Sequence, residues 1–142
     1  MPIFSLPALL RVLAVWLLIM LVESVSGILR RLLFDPETLF AFRQAFLLLG
    51  AVIIFLMAWA CGRWMRLRSG SVALAAGLLW AVLTIGFEAA VGRALGYGWD
   101  RIWSEYDLRS GGMMALGLIA MALTPWAVRW LGLQRARRAS GS

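Results

Sequence analysis

Four long apolar windows constrain this chain more than any other feature of its sequence. They cover roughly residues 6–29, 40–59, 71–91 and 111–131. A helix needs about 20 mostly apolar residues to cross the hydrocarbon layer, and the backbone inside that layer must satisfy its own hydrogen bonds. The windows therefore predict four transmembrane helices. Composition agrees, because 63% of the 142 residues are hydrophobic and only 15% are charged, too little polar surface for a soluble globule.

A charged, helix-breaking phrase occurs twice, 65 residues apart. Glu23, Gly27 and Asp35 recur with identical spacing as Glu88, Gly92 and Asp100. The first copy continues with Arg43, Gly50, Trp59, Arg63 and Trp64. The second copy continues with Arg109, Gly117, Trp126, Arg129 and Trp130, and the two copies align when single residues are inserted or removed. The phrase predicts a duplication, with repeat one at about 5–68, repeat two at about 71–134 and a basic cytoplasmic tail at 135–142.

Two hairpins that begin on the same side of the membrane are parallel repeats. We expect them to be related by a pseudo-two-fold axis along the membrane normal, with their carboxylates facing each other near that axis. The predicted fold is therefore all-α: a four-transmembrane-helix bundle built from two parallel-repeat helical hairpins, in one transmembrane domain over residues 1–142.

The first window also resembles a secretory signal peptide. Arg11 precedes the apolar run 12–22, and the small residues Ser24 and Ser26 follow it. The repeat argues against cleavage, because residues 12–35 align with 77–100 and removal would leave the duplication incomplete. We expect the first helix to be retained.

Charge placement predicts the orientation in the membrane. All seven acidic residues lie at or near the two hairpin connections, together with six of the 14 Arg, whereas the opposite side has eight Arg and no acid. Positively charged residues accumulate on the cytoplasmic side. We therefore expect a multi-pass protein of the bacterial cytoplasmic (inner) membrane with both termini in the cytoplasm.

Residue types remove several classes of chemistry. The chain has no His and a single Cys, Cys61, so the usual transition-metal sites and His-assisted nucleophiles are not expected, and we predict no metal and no cofactor. The basic residues are Arg spread over helix ends rather than a basic domain, which argues against nucleic acid. We do not expect an enzyme, although lipid-head-group chemistry by Asp100, Glu105 or Asp107 beside Arg stays an alternative.

The repeated carboxylates lie where lipid is expected. Glu23 precedes Arg30 by seven residues, roughly 10 Å along a helix, which puts it inside the apolar layer. Asp35 is a strong helix cap followed by Pro36, and a helix that starts there would bring Arg43 to about the depth of Glu23.

The same count of residues along the helix applies to the second copy of the phrase. If Asp100 caps the second connection in the same way, Arg109 lies near the level of Glu88. We therefore predict a binding or coupling site of two carboxylate–guanidinium pairs, Glu23 with Arg43 and Glu88 with Arg109, or the crossed pairing between repeats. A secondary set comprises Asp35, Asp100, Arg30, Arg93 and Asp107. The competing interpretation is that each charge only neutralises its partner and fixes helix register.

Several of these positions carry a resemblance to a known group of proteins. They are Phe87-Glu88, Gly92-Arg93, Trp99, Arg101, Trp103, Tyr106-Asp107 and Gly111-Gly112, with Glu23 and Gly27 to Arg30 upstream. The chain resembles a family of small four-span bacterial inner-membrane proteins with no assigned function. The resemblance implies the four-span fold and brings no substrate with it. Small multidrug-resistance transporters also have four spans and a membrane carboxylate, but theirs lies in the middle of the first helix of a shorter chain.

Two function classes follow from these features. The first is a small transporter or channel with paired Glu/Arg sites near the outer leaflet. The second is a non-catalytic accessory or assembly subunit of a membrane complex, which would use the aromatic outer connection and the basic tail as contact surfaces. The expected partners are the lipid bilayer, anionic lipids at the tail residues Arg135 to Arg138, and a second copy of the chain or a membrane partner protein.

Overall fold

The computed structural model describes residues 3–110 and 112–141. Its helices are α1 (Leu6–Leu33), α2 (Pro36–Ala41), α3 (Arg43–Met65), α4 (Gly70–Ala94), α5 (Trp99–Ser104) and α6 (Met114–Ser140), with a 3-10 turn at Leu108–Ser110. α1, α3, α4 and α6 are each long and apolar enough to cross a membrane. The described residues contain no β-strand. The predicted all-α, four-span fold is thus confirmed, although Gly111, where the fourth window was predicted to begin, lies outside the described residues.

Polar side chains start three of these helices. The Ser5 hydroxyl accepts a hydrogen bond from the Ala8 amide, and Ser69 caps α4 in the same way. The Asp35 carboxylate accepts from the Thr38 amide at 2.7 Å, and this bond lowers the pKa of the Asp35 carboxyl group. The predicted helix start at Asp35-Pro36 is therefore confirmed. That helix ends at Ala41, however, and the spanning helix α3 begins only at Arg43, so the expectation that Arg43 lies eight residues inside the second span is wrong.

The bundle has two chemically different ends. We call the end with connections 34–42 and 95–113 the hairpin end, and the end with the N-terminal residues, the 66–69 turn and the last turns of α6 the terminal end. At the terminal end Arg66 adopts a left-handed conformation with φ of 52° and closes α3. The Arg129 guanidinium of α6 donates to the carbonyl oxygens of Leu67 and Arg68, so α6 fixes the turn that joins the two hairpins.

The four spanning helices form a ring in the order α1, α3, α6, α4. α1 packs against α3 and α4, and α6 packs against the same two helices. The Trp16 indole donates to the Thr84 hydroxyl at 3.1 Å, and the Trp80 indole donates to the Val12 carbonyl oxygen at 3.0 Å. Because residue numbers rise in the same direction in both bonds, α1 and α4 run parallel.

The side-by-side arrangement corrects one expectation. A two-fold axis along the membrane normal would place α1 and α4 on a diagonal of the bundle, with the two carboxylates facing each other. The indole bonds instead hold α1 and α4 as neighbours, so the predicted two-fold arrangement is wrong. Glu23 and Glu88 consequently lie in different surroundings.

The core fills the bundle from its middle to the terminal end. Its largest fully buried side chains include Trp80, Ile19 and Met65. The Thr84 hydroxyl lies within hydrogen-bonding distance of the Met121 sulfur, at 3.1 Å, so this polar group is satisfied inside apolar surroundings. This part of the bundle is densely packed and apolar.

The closest helix approach in the core is between α4 and α6. A Cβ atom built on Gly77 would overlap the carbonyl group of Ala122. Ala73 and Ala76, on the same part of α4, are also completely buried. Small residues at a helix interface allow such close packing in membranes, so Gly77 sets the spacing between α4 and α6.

The second connection is longer and more structured than the first. α4 ends at Ala94, and Gly96 then takes a φ of 86°. α5 and the 3-10 turn follow, and the Met114 amide donates back to the Glu105 carbonyl at 3.1 Å. A Cβ atom on Gly112 would overlap the Glu105 backbone. The connection therefore folds back on itself before α6 begins.

The α4–α6 approach predicts a strong asymmetry between two glycine substitutions. Gly77→Ala should lower the midpoint of thermal unfolding in detergent, because overpacking of a core typically costs about 1–3 kcal/mol. Gly86→Ala is the matched control, since a Cβ atom there meets nothing within 4 Å. Circular dichroism during heating measures both variants. Equal midpoints for Gly77→Ala and wild type would contradict the packing described for α4 and α6.

Candidate functional site

A cleft of about 420 Å³ opens at the hairpin end between α1, α3 and α6. Three guanidinium groups line it, from Arg30 and Arg31 at the end of α1 and from Arg43 at the start of α3. Glu105 contributes one carboxylate, and the remaining wall is apolar or glycine, including Gly27 and Phe46. The cleft is thus a cationic opening at the end of an otherwise apolar bundle.

The Arg side chains in the cleft are held by aromatic and backbone groups. Arg30 donates through Nε to the Ser26 carbonyl at 3.3 Å, and its guanidinium lies 5.4 Å from the centre of the Phe46 ring. The Arg43 guanidinium lies 4.3 Å from the centre of the Phe40 ring. Cation–π contacts of this kind orient a guanidinium without neutralising its charge.

Glu23 lies one helical turn deeper than the cleft wall. Gly27 lines the cleft and is one turn nearer the hairpin end, about 6 Å along α1. A Cβ atom on Gly50 would come within 3.2 Å of Glu23 Oε2, so the carboxylate lies directly against the α3 backbone. Glu23 Oε1 is buried and has no hydrogen-bond partner. One turn further in, Ile19 and Ile54 are buried.

The predicted ion pair between Glu23 and Arg43 is absent. Both residues belong to the part of the chain that the structure describes, and the Glu23 Oε1 and Arg43 Nε atoms are each buried without a hydrogen-bond partner. The Glu23 carboxylate lies at the level of Gly50, which follows Arg43 by seven residues, or about 10 Å along α3. Arg30, seven residues from Glu23 on the same face of α1, lines the cleft.

The predicted partner of Glu88 is also wrong. Asp100 does not cap a spanning helix, because α5 starts after Gly98 and Asp100 is its second residue. α6 begins only at Met114, so Arg109 lies in the 3-10 turn before it, where the Arg109 amide donates to Asp107 Oδ1 at 2.9 Å. The crossed pairing fails as well, since Arg43 faces the cleft and Glu88 is exposed on the side of α4.

The groups that do act on Glu88 come from α1 and the second connection. They are the Arg31 guanidinium and the Glu105 carboxylate. Burial, together with the carboxylates of Glu88 and Glu105, raises the pKa of the Tyr106 phenol. The Tyr106 hydroxyl is itself buried without a hydrogen-bond partner. Arg31 and Glu105 also line the cleft, so the same two charged groups lie near both Glu88 and the cleft.

The secondary residues divide between the cleft and its surroundings. Arg30 lines the cleft, while Asp35 is the exposed cap of α2. Arg93 donates to the Tyr97 carbonyl at 3.1 Å and stacks over Trp99, which secures the end of α4. Asp107 accepts the Arg109 amide, as described above, and Asp100 is in the first turn of α5. The secondary set therefore mainly stabilises the two connections.

Sequence reasoning missed two contributors to this site: Arg31 and the Gly50 contact with Glu23. Arg31 is adjacent to Arg30, and Gly50 belongs to the repeated phrase, so both positions carried a detectable signal. Glu105 was considered only for lipid-head-group chemistry, and its place beside the Arg residues of the cleft depends on how the second connection folds back.

No family model, curated protein or solved structure matches this chain. Among the described residues, no group of His, Cys, Asp and Glu could hold a metal ion. The charged side chains that line the cleft are three guanidinium groups, which can bind anions, and one carboxylate, which can exchange a proton.

Tyrosine titration can test the cluster around Tyr106. The chain has only two Tyr, so in a Tyr97→Phe background the absorbance near 295 nm reports ionisation of Tyr106. We expect its midpoint to lie above the ordinary value of about 10. In that background Glu105→Gln and Glu88→Gln should each lower it, because a neighbouring carboxylate opposes phenolate formation. Asp35→Asn is the control, and a midpoint insensitive to both Gln variants would contradict the cluster.

Proposed function

We propose that this chain is a small membrane transporter that moves a carboxylate- or phosphate-bearing anion together with a proton. The observation that carries the proposal is the position of Glu23, a carboxylate with an unpartnered buried oxygen one turn below a cleft lined by three Arg. Arg30, Arg31 and Arg43 are the proposed anion ligands, and Glu23 is the proposed proton carrier.

The chemistry of the cleft supports an anion as the substrate. Guanidinium groups bind planar carboxylates and phosphates through paired, charge-assisted hydrogen bonds. Three of them face a single carboxylate, Glu105, in the cleft, so the cleft has an excess of positive charge. An anion would gain more from that excess than a neutral solute would.

The apolar half of the bundle supports transport rather than a permanent channel. Below Glu23 the interior is closed by Ile19 and Ile54, and further in by Trp16 and Trp80. The cleft is lined by residues of the hairpin end and is separated from the terminal end by this apolar core, as in one state of an alternating-access cycle. Movement of one hairpin against the other would then expose Glu23 to the opposite side.

The proposal includes a topology. We place both termini and the terminal end in the cytoplasm of a bacterium, and the cleft at the outer leaflet of the inner membrane. The excess of Arg at the terminal end supports this orientation.

A second candidate function is an accessory subunit of a membrane complex. The observation that favours it is the pair of stacked indoles of Trp99 and Trp103 in α5, with ring centroids 6.4 Å apart and each side chain 51% exposed. Exposed aromatic residues are enriched at protein interfaces. In that case α5 would be the contact surface, and the cleft would have no transport role.

Proton movement in proteoliposomes tests the role of Glu23. Vesicles that contain a pH-sensitive dye receive phosphate, acetate or succinate outside, and we expect at least one of these anions to acidify the interior faster than in protein-free vesicles. Glu23→Gln should reduce the rate to that of protein-free vesicles, because Gln cannot carry the proton. Glu37→Gln, an exposed acid of the same end that does not line the cleft, should keep the wild-type rate. Wild-type vesicles no more permeable than empty ones would favour the accessory function.

Anion binding tests the role of Arg43 separately. The anion that is transported should raise the midpoint of thermal unfolding when it binds. In Arg43→Gln, the anion concentration needed for the same rise should be about tenfold higher or more, because a hydrogen bond to a charged group contributes about 1.5–3 kcal/mol. Arg101→Gln removes the same charge from a residue that stacks on Tyr97 outside the cleft, and it should bind normally. Equal loss in both variants would indicate a general charge effect and contradict the site.

A further inference from the structure

A second groove, of about 510 Å³, lies at the terminal end between α3 and α6. Its apolar part includes Phe55 and Trp59 of α3 and Trp130 of α6, and its polar part consists of Gln134, Arg135 and Arg138 of α6. This groove is at the opposite end of the bundle from the cleft, and it has no part in the proposed transport site.

The groove changes from apolar to cationic along the direction of the membrane normal. Trp130 and Arg138 are eight residues apart, about 12 Å along α6. The 27 residues of α6 extend about 40 Å, which is longer than the roughly 30 Å hydrocarbon layer. The apolar part of the groove therefore lies at acyl-chain depth, and Arg138 lies at the depth of lipid head groups.

Aromatic contacts hold the cationic part of the groove in place. The Arg135 guanidinium lies 4.8 Å from the centre of the Trp59 ring, and Trp59 stacks on Phe55 with centroids 6.1 Å apart. This fixes Arg135 to α3 as well as to its own helix. Every Asp and Glu of the chain lies in or near the other end of the bundle, so no acidic side chain competes for Arg135 or Arg138.

We infer that this groove binds one anionic phospholipid of the membrane leaflet at the terminal end of the bundle. The lipid phosphate would lie between Arg135 and Arg138 with Gln134 as a neutral donor, and an acyl chain would follow Phe55 and Trp130 toward the bundle centre. The match of charge to phosphate and of apolar wall to acyl chain selects a lipid over a soluble anion. This inference gives the basic tail a defined site, which differs from general attraction of Arg to a negative surface.

Lipid titration monitored by native mass spectrometry tests the site on the whole protein in detergent. Wild type should bind phosphatidylglycerol at least about tenfold more tightly than phosphatidylcholine with the same acyl chains, because the choline ammonium group of phosphatidylcholine offsets the phosphate charge and repels the two guanidinium groups, whereas phosphatidylglycerol keeps a net negative charge. Arg135→Gln with Arg138→Gln should remove that preference. The matched control, Arg68→Gln with Arg137→Gln, has the same net charge and changes no groove residue, so it should keep the preference.

Two further measurements separate a lipid from other occupants. Leu131 of α6 also lines the groove. Leu131→Trp narrows the apolar wall without changing charge, and it should weaken phosphatidylglycerol binding while helix content stays that of wild type. Glycerol 3-phosphate, which has the phosphate without acyl chains, should not displace the lipid at millimolar concentration. Three results would each overturn the proposal. The first is equal loss of lipid binding in the two double Arg variants, and the second is displacement of the lipid by glycerol 3-phosphate. The third is conversion of a protein dimer to a monomer by Leu131→Trp, which would indicate that a second copy of the chain occupies the groove.

Discussion

The two indole hydrogen bonds between α1 and α4 fix how the two hairpins are aligned along the bundle. They connect Trp16 to Thr84 and Trp80 to Val12, and both lie in an apolar interior where unsatisfied polar groups are costly. Because each bond joins a helix of one hairpin to a helix of the other, together they fix the relative height of the hairpins. Interhelical bonds of this kind contribute about 0.6–2 kcal/mol each in membranes, so their main effect is on register rather than on total stability.

That register produces a bundle with a closed half and an open half. With α1 held beside α4, α6 packs against α4 through Gly77, and the core fills the half nearer the terminal end. At the hairpin end the cleft is lined by Arg side chains and by Gly27 as well as by apolar residues, and the Glu23 carboxylate lies against Gly50. Glu23 lies at the boundary between the two halves. The cleft is therefore a consequence of how the apolar residues are distributed along the helices.

The spans and the capped helix start at Asp35 were predictable from the sequence, and the reasons are local. Hydropathy locates membrane helices because lipid imposes a length and an apolar composition on each of them. Asp35-Pro36 was predictable because capping involves only neighbouring residues. The second connection was predicted incorrectly because α5 and the return of Met114 to Glu105 depend on tertiary contacts. Its resemblance in sequence to the first connection concealed that difference.

The charge pairs show why helix rise alone could not locate the site. Counting residues placed Glu23 and Arg43 at one depth because it assumed a single helix from Asp35 onward. That helix ends at Ala41 and α3 begins at Arg43, whereas the Glu23 carboxylate rests against Gly50, about two turns further along α3. The interpretation that Glu23 and Arg43 only neutralise each other requires their charged groups to be in contact. Glu23 Oε1 and Arg43 Nε remain buried and unpartnered, a costly state for polar atoms. A bound anion at Arg43 and a proton on Glu23 would each remove that cost, which is the physical reason to prefer a functional role for both residues.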